Sequence, residues 1–294
     1  MITVYCMQLL ISRREEPFTR PQTRRPAWSV SRDAQPHSSM SQPRSASPPE
    51  QRVAVVTGGA SGLGAAIVAH LATRGFGVCL NYRSESKAQR LLERLAPEDA
   101  ERVLPFAADV ADRDQVRRMF DAVIDRFGRV DVLVNSAGFN RDAPFLEMTD
   151  EQFDSVIAAH LRGHFVCSQE FVFHNPDGEG LILNFAAPCG AEGRVNGANF
   201  CSAKGGILAL TKCMALELAP RIRVNCLQPG WIGTTEVIER YDLTTDATLE
   251  REIAKLPIGR LGEIADVTAM FDAILDARFT TGACFHVSGG HFMR

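Results

Sequence analysis

From residue 52 onward the chain alternates between two kinds of apolar pattern. Short β-branched or apolar runs, VAVVT (53–57), GVCLNY (77–82), VLPFAA (103–108), VDVLVN (130–135), LILNFAA (181–187), IRVNCLQ (222–228) and CFHVSG (284–289), have the length and composition of strands. Between them lie stretches with helical spacing, such as Ile67 with Leu71, then Val116, Met119, Phe120 and Val123. Strand and helix alternating in this way predict an α/β fold: a parallel sheet covered on both faces. Right-handed crossovers then make it a doubly wound sheet with its ligand crevice at the carboxyl ends of the strands. No internal repeat of solenoid period is present.

The first fifty residues break the pattern. They hold Arg13, Arg14, Arg20, Arg24, Arg25, Arg32 and Arg44, many Ser and Pro, and little periodic apolar content. Such a segment cannot bury enough surface to offset its ordering entropy, so residues 1–50 are expected to form a disordered tail and residues 51–294 the folded domain. Glu15, Glu16 and Asp33 argue against a transit peptide, and the MQLLI run is short for a secretory signal. Met40 offers an alternative start, with residues 1–39 as an extension.

Composition narrows the function classes. The 294 residues are 45% hydrophobic and 23% charged, with a formal net charge of -3, which suits a soluble domain and gives no electrostatic footprint for nucleic acid or an anionic membrane. No apolar run approaches the roughly 18 to 20 residues of a spanning helix. Cys6, Cys79, Cys167, Cys189, Cys201, Cys213, Cys226 and Cys284 are scattered, with no C-x-x-C pair. Neither a disulfide framework nor a metal site is therefore expected, and a reducing cytoplasm is the expected setting.

The first strand runs directly into TGGASGLG, in which Thr57, Gly58, Gly62 and Gly64 give the spacing T-G-x-x-x-G-x-G. Gly58 lets the chain leave the strand sharply, Gly62 removes a Cβ so that backbone amides can approach a pyrophosphate, and Gly64 lets helix pack on strand. The following helix turns its positive N-terminus to the phosphates. The second strand ends in NYRS, with no acid to meet a ribose 2′-hydroxyl; Arg83 and Ser84 suit a 2′-phosphate, which favours NADP(H) over NAD(H).

These residues, with DV at 109–110, NSAG at 135–138, F-x-x-x-K at 200–204, PG-x-x-x-T at 229–234 and a terminal TG then SGG, appear in the order of the short-chain dehydrogenases/reductases. Over residues 52–294 the chain resembles that family, and most of all its 3-oxoacyl carrier-protein reductase and hydroxysteroid dehydrogenase types. The resemblance implies a single doubly wound Rossmann domain with a mostly parallel seven-stranded sheet. It also implies cofactor contacts at Thr57, Gly58, Ser61, Gly62, Leu63, Gly64, Arg83 and Ser84. Asp109 and Val110 would lie beside the adenine, and Asn135, Ala137 and Gly138 along a ribose. Pro229, Gly230, Ile232 and Thr234 would border the nicotinamide, and Lys204 would hold its ribose.

The same resemblance exposes a deficit. Family members protonate the carbonyl oxygen with a tyrosine and steady it with a serine; a lysine lowers the tyrosine's pKa and holds the ribose, and a helix asparagine helps hold a water that feeds the lysine. Of the four, this chain keeps Lys204. Phe200 stands at the tyrosine position, Ala187 at the serine position and His160 at the asparagine position. Ordinary ketone reduction is expected to be nearly lost. Three readings follow: a reductase of an atypical acceptor such as an iminium or enone, a non-redox cyclase or isomerase, and a non-catalytic nucleotide-binding partner. Cys201 and Ser202 project away from Phe200 along the helix; Cys189 could reach the site or be a small buried hydrophobe. His160 could titrate near neutral pH and give a proton, or be bonded to backbone.

Residues 231–257, with helical spacing at Val237, Ile238 and Tyr241, resemble the family's lid, and Trp231, Ile232, Tyr241 and Phe139 suit a bulky apolar substrate. Arg162 and Arg194 could meet an anion or be solvated. Phe153, Val156, Ile157, Leu161 and Phe165 on one helix, with the helix after Phe200, resemble the family's association faces, so a homo-oligomer, dimer or tetramer, is expected.

Overall fold

In the computed structural model, residues 51–293 are described; the 1–50 tail, its Met40 start and Arg294 lie outside the described residues. The seven apolar runs form strands β1 (Val53–Thr57), β2 (Gly77–Tyr82), β3 (Val103–Ala107), β4 (Val132–Asn135), β5 (Gly180–Phe185), β6 (Ile222–Pro229) and β7 (Cys284–Val287). They pair in the order β3-β2-β1-β4-β5-β6-β7, and every pairing is parallel. All five residues of β1 are buried, as a strand covered on both faces requires. Val53 and Val55 enter one hydrophobic cluster, and Ala54 and Val56 another on the opposite face, which is the two-residue period of a strand.

The connections are α1 (Gly62–Thr73), α2 (Glu85–Leu92), α3 (Arg113–Phe127), α4, α5 (Ala198–Leu218), the short pair α6 (Thr235–Arg240) and α7 (Asp246–Ile253), and α8 (Ile264–Asp276). Helix α4 has three parts: Asp150–Ile157, a π-helical turn over Ala158–Arg162, and Gly163–Phe173. Local chemistry sets several ends. The Asp112 carboxylate accepts from the Gln115 amide at the start of α3, and Gly128 closes that helix at φ 79°. Thr149 and Gln152 form a reciprocal capping box at the start of α4.

Five of the expected runs differ from the observed strands by one or two residues at an end, β4 and β5 among them. β4 starts at Val132, and just before it Asp131 pairs with Val53 twice: its amide donates to the Val53 carbonyl at 2.8 Å and its carboxylate accepts from the Val53 amide at 2.7 Å. β5 stops at Phe185, whose carbonyl is taken by the Lys204 ammonium at 2.6 Å. Thus the residue that ends the strand also joins it to α5. A buried polar chain ties the same elements: Asn135 Nδ2 donates to Asn184 Oδ1 (3.0 Å) and Ser168 Oγ (3.1 Å), and Asn184 Nδ2 donates to Thr211 Oγ1 (2.9 Å). These bonds hold β4, β5, α4 and α5 in one register, and they leave Asn135 Oδ1 buried without a partner. Among the described residues no helix is long and apolar enough to cross a membrane.

Candidate active site

The sheet order reverses between β1 and β4, and the loops at the carboxyl ends of those strands, together with those after β5 and β6, open on one cavity of about 710 Å³. The turn after β1 forms its floor. Gly58 has φ +64°, and a Cβ there would sit 2.7 Å from the Ala137 backbone; at Gly64 it would sit 2.4 Å from the Gly58 carbonyl oxygen. Ser61 heads α1 without a side-chain capping bond, and the first turn carries no acid, so its amides are unclaimed for an anion. This cradle fits a dinucleotide pyrophosphate.

Among the predicted cofactor residues, Gly58, Ser61, Gly62, Leu63, Gly64 and Gly138 line the cavity from this side, and Pro229, Gly230, Ile232 and Thr234 from beyond β6. Others support it from behind. Thr57 Oγ1 accepts from the amides of Ser136 (3.0 Å) and Ala137 (3.1 Å), docking the loop after β4 on the glycine turn. Asn135 belongs to the buried amide chain, and Val110 is buried against Gly163, where a Cβ would come within 2.6 Å of it. Asp109 accepts from the Ala111 amide. Arg83 and Ser84 are exposed beyond the rim; the Arg83 guanidinium lies 5.0 Å from the centre of the Phe139 ring, which lines the cavity. Thr234 caps α6 through Val237.

Deeper in the cavity, Phe200, Ala187, Lys204 and His160 share one wall. Helix α5 brings Phe200 and Lys204 there because its glycines let it approach its neighbours closely: a Cβ on Gly206 would meet the Leu161 side chain at 2.7 Å, and one on Gly205 would meet the Gly190 carbonyl at 2.8 Å. The Phe200 ring is met edge-on by His160 at 5.2 Å, and its centre lies 5.4 Å from Lys204 Nζ and 5.5 Å from the Arg194 guanidinium. Burial pushes the Lys204 ammonium down to about 8.

Burial, with the Lys204 charge adding to it, pushes the His160 imidazole down to about 3. Of the two readings of this ring, that favours the one bonded to backbone over the one titrating near neutral pH. His160 Nε2 meets the backbone of Phe139, 2.9 Å from its carbonyl and 3.1 Å from its amide, so this is the backbone-bonded neutral histidine. The ring fits because residue 138 is glycine; a Cβ there would lie 1.8 Å from it.

Arg194 lines the cavity but is engaged by Asp142 at 2.7 and 2.8 Å, whereas Arg162 is turned away and donates to the Ala111 carbonyl. Cys189 lines the cavity, while Cys201 and Ser202 do not. The 231–257 segment supplies the outer wall through Trp231, Val237 and Tyr241, and the Trp231 and Tyr241 rings pack 4.5 Å apart. His291, from beyond β7, also lines it and meets Trp231 edge-on. No spacing in the sequence marks that contact, since it joins the last residues to a loop sixty positions earlier.

The arrangement is matched by known proteins. A family model described as enoyl-(acyl carrier protein) reductase matches residues 58–291. The 3-oxoacyl-[acyl-carrier-protein] reductase FabG of Staphylococcus aureus is 37% identical over 247 residues, covering 82% of this chain and 98% of its own length. The chain belongs to the short-chain dehydrogenase/reductase family.

Within that family it is of the 3-oxoacyl-ACP reductase-like kind and of oxidoreductase type. The short-chain reductase protein NovJ of Streptomyces niveus is 33% identical over 248 residues, covering 82% of this chain and 94% of NovJ. An actinorhodin polyketide ketoreductase variant, solved with NADPH, superposes with a TM-score of 0.76 at 30% identity over 82% of this chain and 97% of that one. The short-chain reductase fold thus places the cavity where its strand order reverses, and the wall beside Lys204 carries no side-chain hydroxyl from position 187 or 200.

Proposed function

We propose that this chain binds NADP(H) and reduces an acceptor whose carbon takes hydride without a proton delivered from the tyrosine and serine positions, such as an iminium ion or a conjugated enone. The observation that carries the reading is the cavity wall at Lys204: a benzyl ring and a methyl group, with a neutral, backbone-bonded His160 beside them. When bound, NADP(H) supplies the hydride. The amides at the head of α1 hold its pyrophosphate, and Arg83 and Ser84 face its 2′-phosphate. Lys204, a buried cation below about pH 8, holds a ribose hydroxyl. An iminium already carries the charge that protonation of a ketone would create, and hydride addition to its carbon leaves a neutral amine nitrogen, so the missing acid costs it nothing. Phe200, Trp231 and Tyr241 exclude water and present apolar and π surface to such a molecule.

A ketone in the same cavity lacks its proton donor, which costs about 10²–10⁴ in rate. The decisive experiment follows NADPH oxidation by the full chain on matched panels of cyclic imines, conjugated enones and simple ketones. Turnover of imines or enones with ketones inert supports the proposal. Efficient turnover of simple ketones overturns it. Substrate conversion without nicotinamide oxidation makes the chain an isomerase or cyclase, and NADPH binding with no conversion makes it a non-catalytic nucleotide-binding partner.

A further inference from the structure

β6 and β7 run parallel with Cys226 in register with Cys284. The two side chains therefore leave the sheet on the same face, where both pack into the cluster of Ala186, Ile207, Leu161 and Leu208. Neighbouring strands lie about 4.7–4.9 Å apart, inside the roughly 4.4–6.8 Å range of Cα separations over which a disulfide closes. Both cysteines are free. Gln228 Nε2 donates to the Cys284 sulfur at 2.7 Å, while the Cys226 thiol, beside it, points to the Leu227 carbonyl at 3.9 Å. Cys226 is fully buried, whereas Cys284, on the edge strand, is half-buried.

The Gln228 donor aimed at this sulfur favours its anion. The neighbouring Cys226 thiol, then Gln228, with the charge of Lys212 adding to them, outweigh burial and bring the Cys284 thiol down to about 7. Its partner moves the other way: Cys226, beside Cys284 and buried as well, is pushed far up. The cavity-lining Cys189 moves in the opposite direction from Cys284. Burial, and then Cys201, push Cys189 up to about 12, which keeps it protonated and slow to react. A thiolate-prone, partly accessible sulfur beside a protonated, enclosed one is the pattern of an attacking and a resolving cysteine.

We propose that Cys284 and Cys226 form a redox modification site that reacts with hydroperoxides and closes a cross-strand disulfide. In the first step the Cys284 thiolate attacks the terminal peroxide oxygen. The S–O bond forms, the O–O bond breaks, and the departing alkoxide or hydroxide takes up the proton that Cys284 lost. In the second step the Cys226 sulfur attacks the Cys284 sulfenic acid. The S–S bond forms, the S–O bond breaks, and the hydroxyl leaves as water with the Cys226 proton. Overall the hydroperoxide is reduced by two electrons to an alcohol or water, and the two thiols are oxidised by the same two. This chemistry is independent of the acceptor reduced in the main cavity.

The test treats the reduced full-length protein with hydrogen peroxide, quenches it by alkylation in denaturant, and maps the cysteine peptides by mass spectrometry. The expected result is a Cys226–Cys284 cross-link that forms before the exposed Cys213 or the cavity-lining Cys189 is oxidised. In Cys226→Ala the cross-link is absent and Cys284 takes a dimedone adduct, the mark of a trapped sulfenic acid. In Cys284→Ala, Cys226 stays alkylatable. Gln228→Leu, which keeps both thiols but removes one donor, is expected to slow closure about ten-fold. Oxidation of Cys213 or Cys189 while Cys226 and Cys284 stay alkylatable overturns the proposal, and so does a Cys226→Ala protein whose Cys284 never takes dimedone.

Discussion

Phe200 is held by three neighbours at once, with His160 against its edge and Lys204 and Arg194 near its face. Adding one hydroxyl to that ring would place a phenol beside a buried ammonium, which favours the phenolate and so makes the phenol a better acid. Adding a hydroxyl at Ala187 would supply a second donor on the same wall. Phe200→Tyr combined with Ala187→Ser is therefore expected to raise ketone reduction by at least about 10²-fold, with each single change giving less. NADPH oxidation with a simple ketone measures it. Lys204 invites a second substitution. The unfolded chain keeps this proton to about 10.5 and the native protein only to about 8. The cost of burying the charge is therefore present in full below pH 8 and is relieved between about 8 and 10.5. Lys204→Met is expected to stabilise the protein by roughly 2 kcal/mol at pH 7 while weakening NADPH binding. Urea unfolding and calorimetric titration separate the two effects. In the native protein NADPH affinity should fall as pH rises through about 8, and that dependence should vanish in the variant.

Helix α4 carries its function through an irregularity. Its π-helical turn over Ala158–Arg162 holds His160, and His164 follows one turn on; both are buried. Burial holds both imidazoles far below the ordinary histidine value of 6.5, His160 at about 3. The unfolded chain thus binds protons that the native chain refuses. For His160 the contribution is complete above about 6.5 and is lost as pH falls toward 3, at up to about 1.4 kcal/mol per pH unit, and His164 acts in the same direction. Urea midpoints measured between pH 7 and 4 should trace that slope, and His160→Asn should reduce it. The glycine turn before α1 gives a different test. A Cβ on Gly64 would lie 2.4 Å from the Gly58 carbonyl, so Gly64→Ala must shift the turn from the helix it feeds. Its expected cost is about 1–3 kcal/mol, with NADPH binding lost in calorimetry. The turn is legible in the sequence because backbone sterics act between near neighbours. The π-helical turn is not, since AAHLR is as compatible with a regular helix, and the turn is stabilised where His160 reaches across to Phe139.

At the scale of the whole molecule, the parallel sheet collects loops from distant parts of the chain into one cavity, and helices cover both of its faces. One of those helices is not finished by the fold. Phe153 and Phe165 are more than a third exposed on α4, and Phe173 is 65% exposed. Large aromatic surface of this kind on a helix suits association. A dimer or tetramer mass is expected in light scattering, and Phe153→Asp combined with Phe165→Asp is expected to give a monomer of unchanged fold by circular dichroism.

Residue order by itself determined the alternation of strands and helices, the glycine turn, and the absence of hydroxyls at positions 187 and 200. Each is a local matter: periodicity, backbone sterics, and the identity of single side chains. Only the tertiary structure decided which of these residues act together and in which charge state. His160 is neutral because the fold buries it, Arg194 is engaged because Asp142 is brought to it, and Cys226 meets Cys284 because β6 and β7 pair in that register. Desolvation and pairwise distance depend on segments far apart in the chain, so no reading of neighbouring residues contains them.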